Sequence, residues 1–268
     1  MQAGLYIVGT PIGNLGDMSP RAVDVLRGVD LIAAEDTRVF GKLAVHFDIP
    51  TKRMALHDHN EQDAADDLIE KIQFGMAIAL VSDSGMPGIS DPGFRVIRAA
   101  RAAGAPIFVV PGPTAFASAL VLSGFPTNRF TFCGFFKDEK HLREDNKIRH
   151  TIIYYESPNR VMDTIALMAI VMPERRVAIV REITKIYEET IIGYPAELGH
   201  KAQGIKGEVV LVVEPAPEIK MSDDDIAEIV RDVVSVGRGT KDAAAEIATR
   251  AGISKSEAYQ RIIKNDNE

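Results

Sequence analysis

The chain has 268 residues, of which 46% are hydrophobic and 26% are charged, as in an ordinary soluble protein with a sizeable core. Its net charge of −7 argues against a nucleic-acid binder that is basic over its whole surface, although one local basic face stays compatible with it. The single cysteine excludes internal disulfides and cysteine-rich zinc sites.

No apolar run approaches the ~20 residues needed to span a bilayer, and no basic segment followed by a long apolar stretch opens the chain. We therefore expect a cytoplasmic protein without a membrane segment or a secretory signal.

Short apolar runs alternate with helical stretches in the first half of the chain. The sequence predicts strands at residues 6–8, 31–34, 78–81 and 107–110, with intervening helices that include 62–74 and 94–103. This alternation is typical of an α/β domain with a largely parallel sheet. We expect this N-terminal α/β domain to span residues 1–113.

The second half predicts a further, mixed sheet. Strands are expected at 151–155, 177–180 and 209–213, with 184–192 and 208–214 as hairpin-like strands. This C-terminal α/β domain should span residues 114–215.

A proline-bearing linker at 214–218 precedes a helical extension at 221–268. Amphipathic helices are predicted at 223–234, 241–250 and 254–264, and Ser254 with Glu257 forms a capping box. The last two helices resemble a helix-turn-helix. Because the extension holds seven Lys/Arg against ten Asp/Glu, a small helical cap is the simpler interpretation and nucleic-acid contact is the alternative.

Three loops rich in glycine and proline follow predicted strands, at residues 9–16, 82–93 and 111–114. Ligands of open α/β sheets bind at the carboxyl ends of the strands, so neighbouring parallel strands would gather these loops into one pocket. Asp83 and Asp91 either face a cationic group or cap turns. Thr114 and Ala115 open a helix whose first amides can meet an acceptor. None of the loops matches a P-loop or a dinucleotide fingerprint, which disfavours ATP or NAD.

Charged residues lie at the strand ends of the second half, after two strands and before the last one, and their number favours a shared cleft over separate surface ion pairs. They are Glu156, Arg160, Arg181, Glu182, Lys185, Lys206 and Glu208.

Two other segments carry polar side chains. His57, Asp58 and His59 admit a metal centre, but a polar loop or a substrate contact is preferred and we expect no metal. The mildly basic segment 137–150 is expected to be a solvated loop, with contact to a polyanion as the alternative.

Nine motifs occur in an order that resembles the ribosomal RNA small-subunit methyltransferase I family, within the tetrapyrrole methylase superfamily of class III S-adenosylmethionine-dependent methyltransferases. The most specific are Thr-Pro-Ile-Gly-Asn-Leu at 10–15 and Ala-Glu-Asp-Thr-Arg at 34–38. The others are Leu-His-Asp-His-Asn at 56–60, Val-Ser-Asp at 81–83, Ser-Asp-Pro-Gly at 90–93, Pro-Gly-Pro at 111–113, Tyr-Glu-Ser-Pro at 155–158, Arg-Glu-Ile-Thr-Lys at 181–185 and Lys-Gly-Glu at 206–208.

The resemblance covers about residues 4–214, and the helical tail is similar to the family's C-terminal extension. It implies two α/β domains of tetrapyrrole-methylase type with S-adenosylmethionine in the cleft between them, usually in a homodimer. It also implies 2′-O-methylation of cytidine 1402 of 16S ribosomal RNA in the 30S subunit. The residues implied to bind the cofactor are Pro11, Asp83, Gly85, Met86, Thr114, Ala115, Glu156, Gly207 and Glu208.

Methyl transfer to a ribose hydroxyl needs a group that takes the hydroxyl proton. Our candidates for this base, or for an orienting group, are Glu35, Asp36 and Glu156. Arg38 and Lys185 are the candidates for holding a phosphate or the developing oxyanion. The alternative function is a small-molecule (tetrapyrrole-type) or protein-residue methyltransferase of the same superfamily.

Overall fold

The computed structural model describes residues 1–57, 60–217, 222–236 and 239–266 and divides the chain into two units, Met1–Ala216 and Pro217–Glu268. The first unit contains two five-stranded sheets. Among the described residues, no helix is both long enough and apolar enough to cross a membrane.

The first sheet is entirely parallel and has the strand order β3-β2-β4-β1-β5. Its strands are β1 (Gly4–Val8), β2 (Leu31–Ala34), β3 (Arg53–Ala55), β4 (Ala77–Val81) and β5 (Ile107–Val110), and its helices are α1 (Pro20–Gly28), α2 (Thr37–His46), α3 (Glu61–Gln73) and α4 (Phe94–Ala102). One face packs on α1 and α2 and the other on α3 and α4, so β4 is buried along its whole length. The predicted parallel α/β architecture is confirmed.

The second sheet is mixed, as predicted, with the order β6-β7-β10-β8-β9. Only the β6–β7 pair within it is parallel. Its strands are β6 (Phe130–Phe135), β7 (Thr151–Glu156), β8 (Val177–Arg181), β9 (Glu189–Gly193) and β10 (Val209–Val213), and its helices are α5 (Ala115–Ser123), α6 (Glu139–Asp145), α7 (Val161–Val171) and α8 (Pro195–Ala202). The expected domain boundary at residue 113 falls between β5 and β6 and stays a prediction.

Two local predictions for the second sheet were wrong. The expected strand at 184–192 begins only at Glu189, because Glu182 and Thr184 adopt left-handed backbone conformations with φ of 50° and 69°. The expected loop at 137–150 contains α6, whose first turn is capped by Asp138 and whose Leu142 is buried.

The second unit is a separate three-helix cluster, which confirms the three predicted helices α9 (Asp223–Ser235), α10 (Thr240–Ala251) and α11 (Lys255–Asp266). Ile226, Val230 and Ile247 lie in its core. The Ser254 hydroxyl accepts a hydrogen bond from the Glu257 amide at 3.1 Å, as one half of the predicted capping box. Residue 218 of the predicted linker and residue 221 lie outside the described residues.

Two arginines of this unit are held by carboxylates within it. Arg250 pairs with Asp232 at 2.6 Å, and Arg261 pairs with Asp223 at 2.7 Å. These pairs withdraw positive charge from contact with a nucleic acid, and they are consistent with the helical-cap interpretation.

One buried arginine ties the ends of the second sheet together. The Arg175 guanidinium, 2% exposed, donates to the carbonyl oxygens of Glu214 at 2.7 Å, Ile148 at 3.0 Å and His150 at 2.9 Å. Burial lowers its pKa to about 10, so the side chain stays charged at neutral pH. The exit of β10 and the entrance of β7 therefore depend on one side chain.

We expect Arg175→Met to lower the free energy of unfolding by about 3 kcal/mol or more, because three carbonyl groups lose their donor. Denaturant unfolding measures the effect. The control is Arg176→Met, since Arg176 is half exposed in its pair with Glu214 and should change stability by no more than about 1 kcal/mol. Equal stability of the two variants would contradict this account.

Candidate functional site

The three glycine- and proline-rich loops converge, because they follow β4, β1 and β5, which are neighbours in the parallel sheet. Thr10 and Gly85 exchange backbone hydrogen bonds of 2.9 and 3.2 Å, and the Gly9 amide donates to the Val110 carbonyl at 3.0 Å. The predicted meeting of the loops at one sheet edge is therefore confirmed.

Two of these loops touch through bare backbone. A Cβ atom on Gly9 would lie 2.6 Å from the Cα and N of Gly112, and 2.7 Å from the sulfur of Met86. The Gly112 amide donates to this sulfur at 3.4 Å. Only glycine permits this approach, which places Met86 over the junction of β1 and β5.

A cavity of about 560 Å³ opens above this junction, between the carboxyl edge of the first sheet and the ends of strands in the second. The first sheet contributes the loops after β1, β4 and β5, and the second contributes the ends of β6, β7 and β8 and the start of β10. We call this the first cavity. Its lining residues are Ile12, Ser84, Gly85, Met86, Ile89, Ser90, Asp91, Thr114, Ala115, Phe135, Tyr155, Glu156, Ser157, Pro158, Glu182, Lys185, Gly207, Glu208, Val209 and Val210.

A second cavity of about 300 Å³ lies beside the first, against the N-terminal part of α2. The two cavities share four lining residues: Ile12, Ser84, Lys185 and Glu208. The second cavity is otherwise lined by Thr10, Pro11, Gly13, Leu15, Val39, Phe40, Lys42, Leu43, Ser82 and Asp83. The site thus has two compartments that meet at a common wall.

The structure divides the expected cofactor residues between the compartments. Pro11 and Asp83 line the second cavity. The first cavity contains the other seven: Gly85, Met86, Thr114, Ala115, Glu156, Gly207 and Glu208.

Three carboxylates cluster at the ends of β2 and β4, beside the second cavity. The Asp83 amide donates to Oε2 of Glu35 at 3.2 Å, and the Asp36 amide donates to Oδ1 of Asp83 at 3.1 Å. The ends of β2 and β4 are thereby cross-linked through the side chains of Glu35 and Asp83. Glu35 and Asp36 themselves line neither cavity.

Asp36 and Asp83 differ in their electrostatic environment. Asp36 caps α2 and binds Arg38 at 2.6 Å, and this hydrogen-bonded pair holds the pKa of Asp36 well below its usual range while raising that of Arg38. Burial raises the pKa of Asp83. Arg38 is highly exposed, so this pair lies at the mouth of the site rather than inside it.

Glu156 is sequestered under the first cavity, with its side chain fully buried. Thr164 donates to Oε2 at 2.5 Å, the Ser157 amide donates to Oε1 at 2.6 Å, and Arg160 pairs with Oε1 at 2.8 Å. These partners occupy both oxygens. The geometry therefore makes Glu156 an anchor of the loop after β7 and argues against a role for it as a base.

Lys185 is held between two carboxylates rather than open to a ligand. Its ammonium group binds Oε1 of Glu182 at 2.9 Å and Oε2 of Glu208 at 3.0 Å. Burial opposes the charge, but the two carboxylates outweigh it and raise the pKa of Lys185. The lysine stem crosses Gly13, where a Cβ atom would lie 2.6 Å from Cε. Lys185 thus joins the loop after β1 to the second sheet.

The segment that carries Lys185 is strained. Glu182 and Thr184 have positive φ, and the Thr184 hydroxyl is buried without a hydrogen-bond partner among the described residues. Asn14 reaches the Thr184 carbonyl at 3.5 Å. Such strain is found where a clamp or a binding site holds the backbone.

Sequence reasoning missed Lys42. It lies one helical turn after Arg38 on α2, lines the second cavity and has no carboxylate partner among the described residues. The i, i+4 spacing after the motif at 34–38 was the available signal.

No group of three or more His, Cys, Asp or Glu side chains that could hold a metal occurs in the described part of the chain. The His57 amide donates to Asn60 in a turn at 2.8 Å. Asp58 and His59 lie outside the described residues, so the interpretation of residues 57–59 stays a prediction.

Comparison with known proteins matches the fold to a family. Residues 4–199 match the family model described as Tetrapyrrole (Corrin/Porphyrin) Methylases. A solved structure, uroporphyrin-III C-methyl transferase from Thermus thermophilus complexed with S-adenyl homocysteine, has a TM-score of 0.56 at 16% identity and covers 79% of this chain and 97% of its own. The parallel sheet, the mixed sheet and the cavity between them thus define a two-sheet α/β protein of tetrapyrrole-methylase type.

Closer relatives refine this class. The protein from Vibrio cholerae named ribosomal RNA small subunit methyltransferase I is 43% identical, over 97% of this chain and 94% of the relative. The protein of the same name from Halalkalibacterium halodurans is 40% identical over 95% and 93%. The chain belongs to the ribosomal RNA small subunit methyltransferase I family, within the tetrapyrrole methylases.

We expect Gly9→Ala to lower the free energy of unfolding by about 1–3 kcal/mol, because the added methyl group must push apart the backbones of two loops. Chemical denaturation measures the change. Gly199→Ala is the matched control: this glycine lies within α8, where a Cβ meets nothing within 4 Å, so stability should stay equal or rise. A Gly9→Ala protein as stable as the control would show that the close approach is not required.

Proposed function

We propose that the protein is an S-adenosylmethionine-dependent methyltransferase that acts on ribosomal RNA of the small subunit. Its support is the near full-length identity of 43% and 40% to relatives named for this activity, together with a cavity of suitable size at the sheet edge. In the finer form of the proposal, the acceptor is the ribose 2′-hydroxyl of cytidine 1402 in 16S ribosomal RNA within the 30S subunit. The motifs at 10–15 and 34–38 support this form through their resemblance to the family.

The first cavity suits the proposed cofactor. Its volume of about 560 Å³ lies within the usual range for small-molecule sites, and apolar walls such as Val209, Val210 and Tyr155 alternate with few polar groups. The amides that begin α5, at Thr114 and Ala115, suit a carboxylate. The proposed cofactor-binding residues are Ser84, Gly85, Met86, Thr114, Ala115, Gly207 and Glu208.

When bound, the cofactor supplies a methyl group on a positively charged sulfur, which departs as a neutral thioether. The chain's own contribution is to hold an acceptor hydroxyl in line, exclude water and accept the proton. Lys185, fixed by Glu182 and Glu208 in the common wall, positions the two compartments against each other. Glu35, Asp36 and Arg38 lie beside the second compartment, where Glu35 and Asp36 hold Asp83 in place through hydrogen bonds.

The direct test uses purified protein, labelled S-adenosylmethionine and 30S subunits that lack the modification. We expect one ribose methyl group at cytidine 1402, located by mapping the modified nucleotide. Label on a base would leave ribosomal RNA methylation intact but refute the 2′-O assignment. Absence of label from 30S subunits, with transfer to a tetrapyrrole or to a protein residue, would favour the alternative function.

We propose a homodimer in the cytoplasm as the working form of the enzyme. Helix α5 is apolar on all sides, yet its Val121 is 73% exposed, and Leu122 beside it is also exposed. Phe130 on the edge strand β6 is exposed as well, and it contacts Phe116 of α5 at 6.4 Å between ring centroids. An apolar helix and edge strand open to water suit contact with a second copy.

We expect Val121→Glu to dissociate the dimer, because the substitution places a charge in its apolar interface. Analytical ultracentrifugation measures the mass. Ile170→Glu is the control, since Ile170 is similarly exposed, at 67%, on helix α7. A monomeric wild type, or a dimeric Val121→Glu variant, would refute this interface.

A further inference from the structure

We propose that the second cavity receives the acceptor nucleotide and that Asp83 accepts the proton of its hydroxyl. This inference rests on the proposed function, since it names the acceptor site and the base of that same reaction. It also moves Asp83 from the expected cofactor residues to the acceptor side of the site.

The two cavities are adjacent compartments of one site. They share a wall of Ile12, Ser84, Lys185 and Glu208, so groups bound on the two sides meet there. Ser84 directly follows Asp83 in the chain. The Asp83 side chain therefore lies in the second compartment, one residue from the wall that both share.

The Asp83 carboxylate is only partly engaged by the protein. Its Oδ1 accepts one hydrogen bond, from the Asp36 amide at 3.1 Å, while Oδ2 has no hydrogen-bond or ion-pair partner among the described residues. An acceptor hydroxyl entering the cavity can donate to Oδ2. The hydrogen bond from the Asp36 amide orients the carboxylate and leaves Oδ2 able to accept another hydrogen bond.

The other groups that the sequence nominated as base or oxyanion holder are engaged elsewhere. Both oxygens of Asp36 are bound to Arg38, both oxygens of Glu156 are occupied in the interior, and the Lys185 ammonium is neutralised by two carboxylates. Glu35 is engaged by the Asp83 amide and lines neither cavity. Of the three carboxylates at the ends of β2 and β4, Asp83 is the one that lines a cavity, and its Oδ2 accepts no hydrogen bond from the described residues.

The charge beside the second cavity indicates the class of ligand. Lys42 lines this cavity and has no carboxylate partner among the described residues, whereas Arg38, one helical turn before it on α2, is bound by Asp36. The ammonium group of Lys42 suits a phosphodiester, which points to a nucleotide in a chain as the acceptor rather than to an uncharged alcohol.

The transfer balances without another reactant. The hydroxyl oxygen forms a bond to the methyl carbon, the carbon–sulfur bond breaks with its electron pair going to sulfur, and the proton passes to Oδ2 of Asp83 and then to solvent. An ionised Asp83 is required, so turnover falls as the pH drops through its pKa. The pH at which turnover falls depends on the charged groups around Asp83. These are Glu35, Asp36, Arg38, Lys42, Lys185 and Glu208.

The test compares Asp83→Asn with Asp24→Asn, the same change at an exposed aspartate of α1 that lines neither cavity. Asparagine at 83 can still accept the Asp36 amide, so this variant should fold. In single turnover on 30S subunits at saturating cofactor, we expect Asp83→Asn to lose about 10²- to 10⁴-fold in rate and Asp24→Asn less than about twofold. Calorimetry should show cofactor affinity in Asp83→Asn within about threefold of wild type, a difference under 1 kcal/mol.

Two further readouts separate catalysis from structure. The acidic limb of the wild-type pH–rate profile should disappear in Asp83→Asn, and its midpoint should match the pKa of the Asp83 carboxyl measured by carbon-13 NMR. Cytidine monophosphate should shift that carboxyl resonance in the wild-type protein. A rate for Asp83→Asn within threefold of wild type would overturn the inference, as would a loss of cofactor affinity as large as the loss of rate.

Failure of the proposed function is distinguishable from failure of this inference. If the wild-type protein leaves 30S subunits unmethylated, the proposed substrate is wrong, and the cytidine monophosphate titration decides whether the second cavity binds nucleotides. An Asp83 resonance that cytidine monophosphate leaves unchanged would then overturn the inference as well.

Discussion

The close approach of Gly9 and Gly112 is the constraint on which the rest of the site depends. It lets the loops after β1 and β5 meet backbone to backbone, while Thr10 binds Gly85 in the loop after β4. A parallel sheet places all its carboxyl-terminal loops at one edge, but three of them touch only when their strands are neighbours, and β4-β1-β5 satisfy that condition. The loops that form the floor of both cavities therefore meet because β4, β1 and β5 are neighbours and because Gly9 and Gly112 have no side chains.

The second constraint is the attachment of the mixed sheet to this floor. Lys185 belongs to the turn after β8, yet its stem lies on Gly13 and its ammonium group is bound by two carboxylates of its own sheet. The strained conformations at Glu182 and Thr184 hold that turn against the loop after β1. A wall common to both cavities results, in which two ion pairs fix the Lys185 side chain where its stem meets Gly13.

The sequence predicted the parallel sheet, the mixed sheet and the convergence of the three loops, because apolar strands followed by Gly/Pro loops leave few alternatives. It failed where local pattern and tertiary contact disagree. The β-branched run at 184–192 suggested a strand throughout, but Thr184 adopts a left-handed conformation, and Thr184 and Lys185 pack against Gly13 instead of extending β9. Short β3, with two of its three residues exposed, offered too little periodicity to be found.

Within the candidate site, the charged residues could be predicted from the sequence, but the hydrogen-bond and ion-pair partners of each could not. In the sequence, Glu156 and Lys185 both follow predicted strands and could each contact a ligand. In the structure, Glu156 accepts hydrogen bonds from Thr164 and Ser157, and two carboxylates bind Lys185. Most of these partners are near in the chain, but which side chain turns toward which is set by backbone conformation and packing, and Glu208 reaches Lys185 from another loop. Sequence spacing alone therefore does not reveal them.

The separation of roles among the carboxylates follows from helix and strand geometry. Asp36 stands at the N-terminus of α2, where the helix amides and Arg38 favour its charge, so it is a stable anion and a weak proton acceptor. Asp83 stands at the end of a central buried strand, where burial opposes its charge and makes it the more basic of the two. The Asp36 amide that binds Asp83 couples these opposite environments. A fixed anion at the mouth and a more basic carboxylate facing the cavity can thus arise from adjacent strand ends of one sheet.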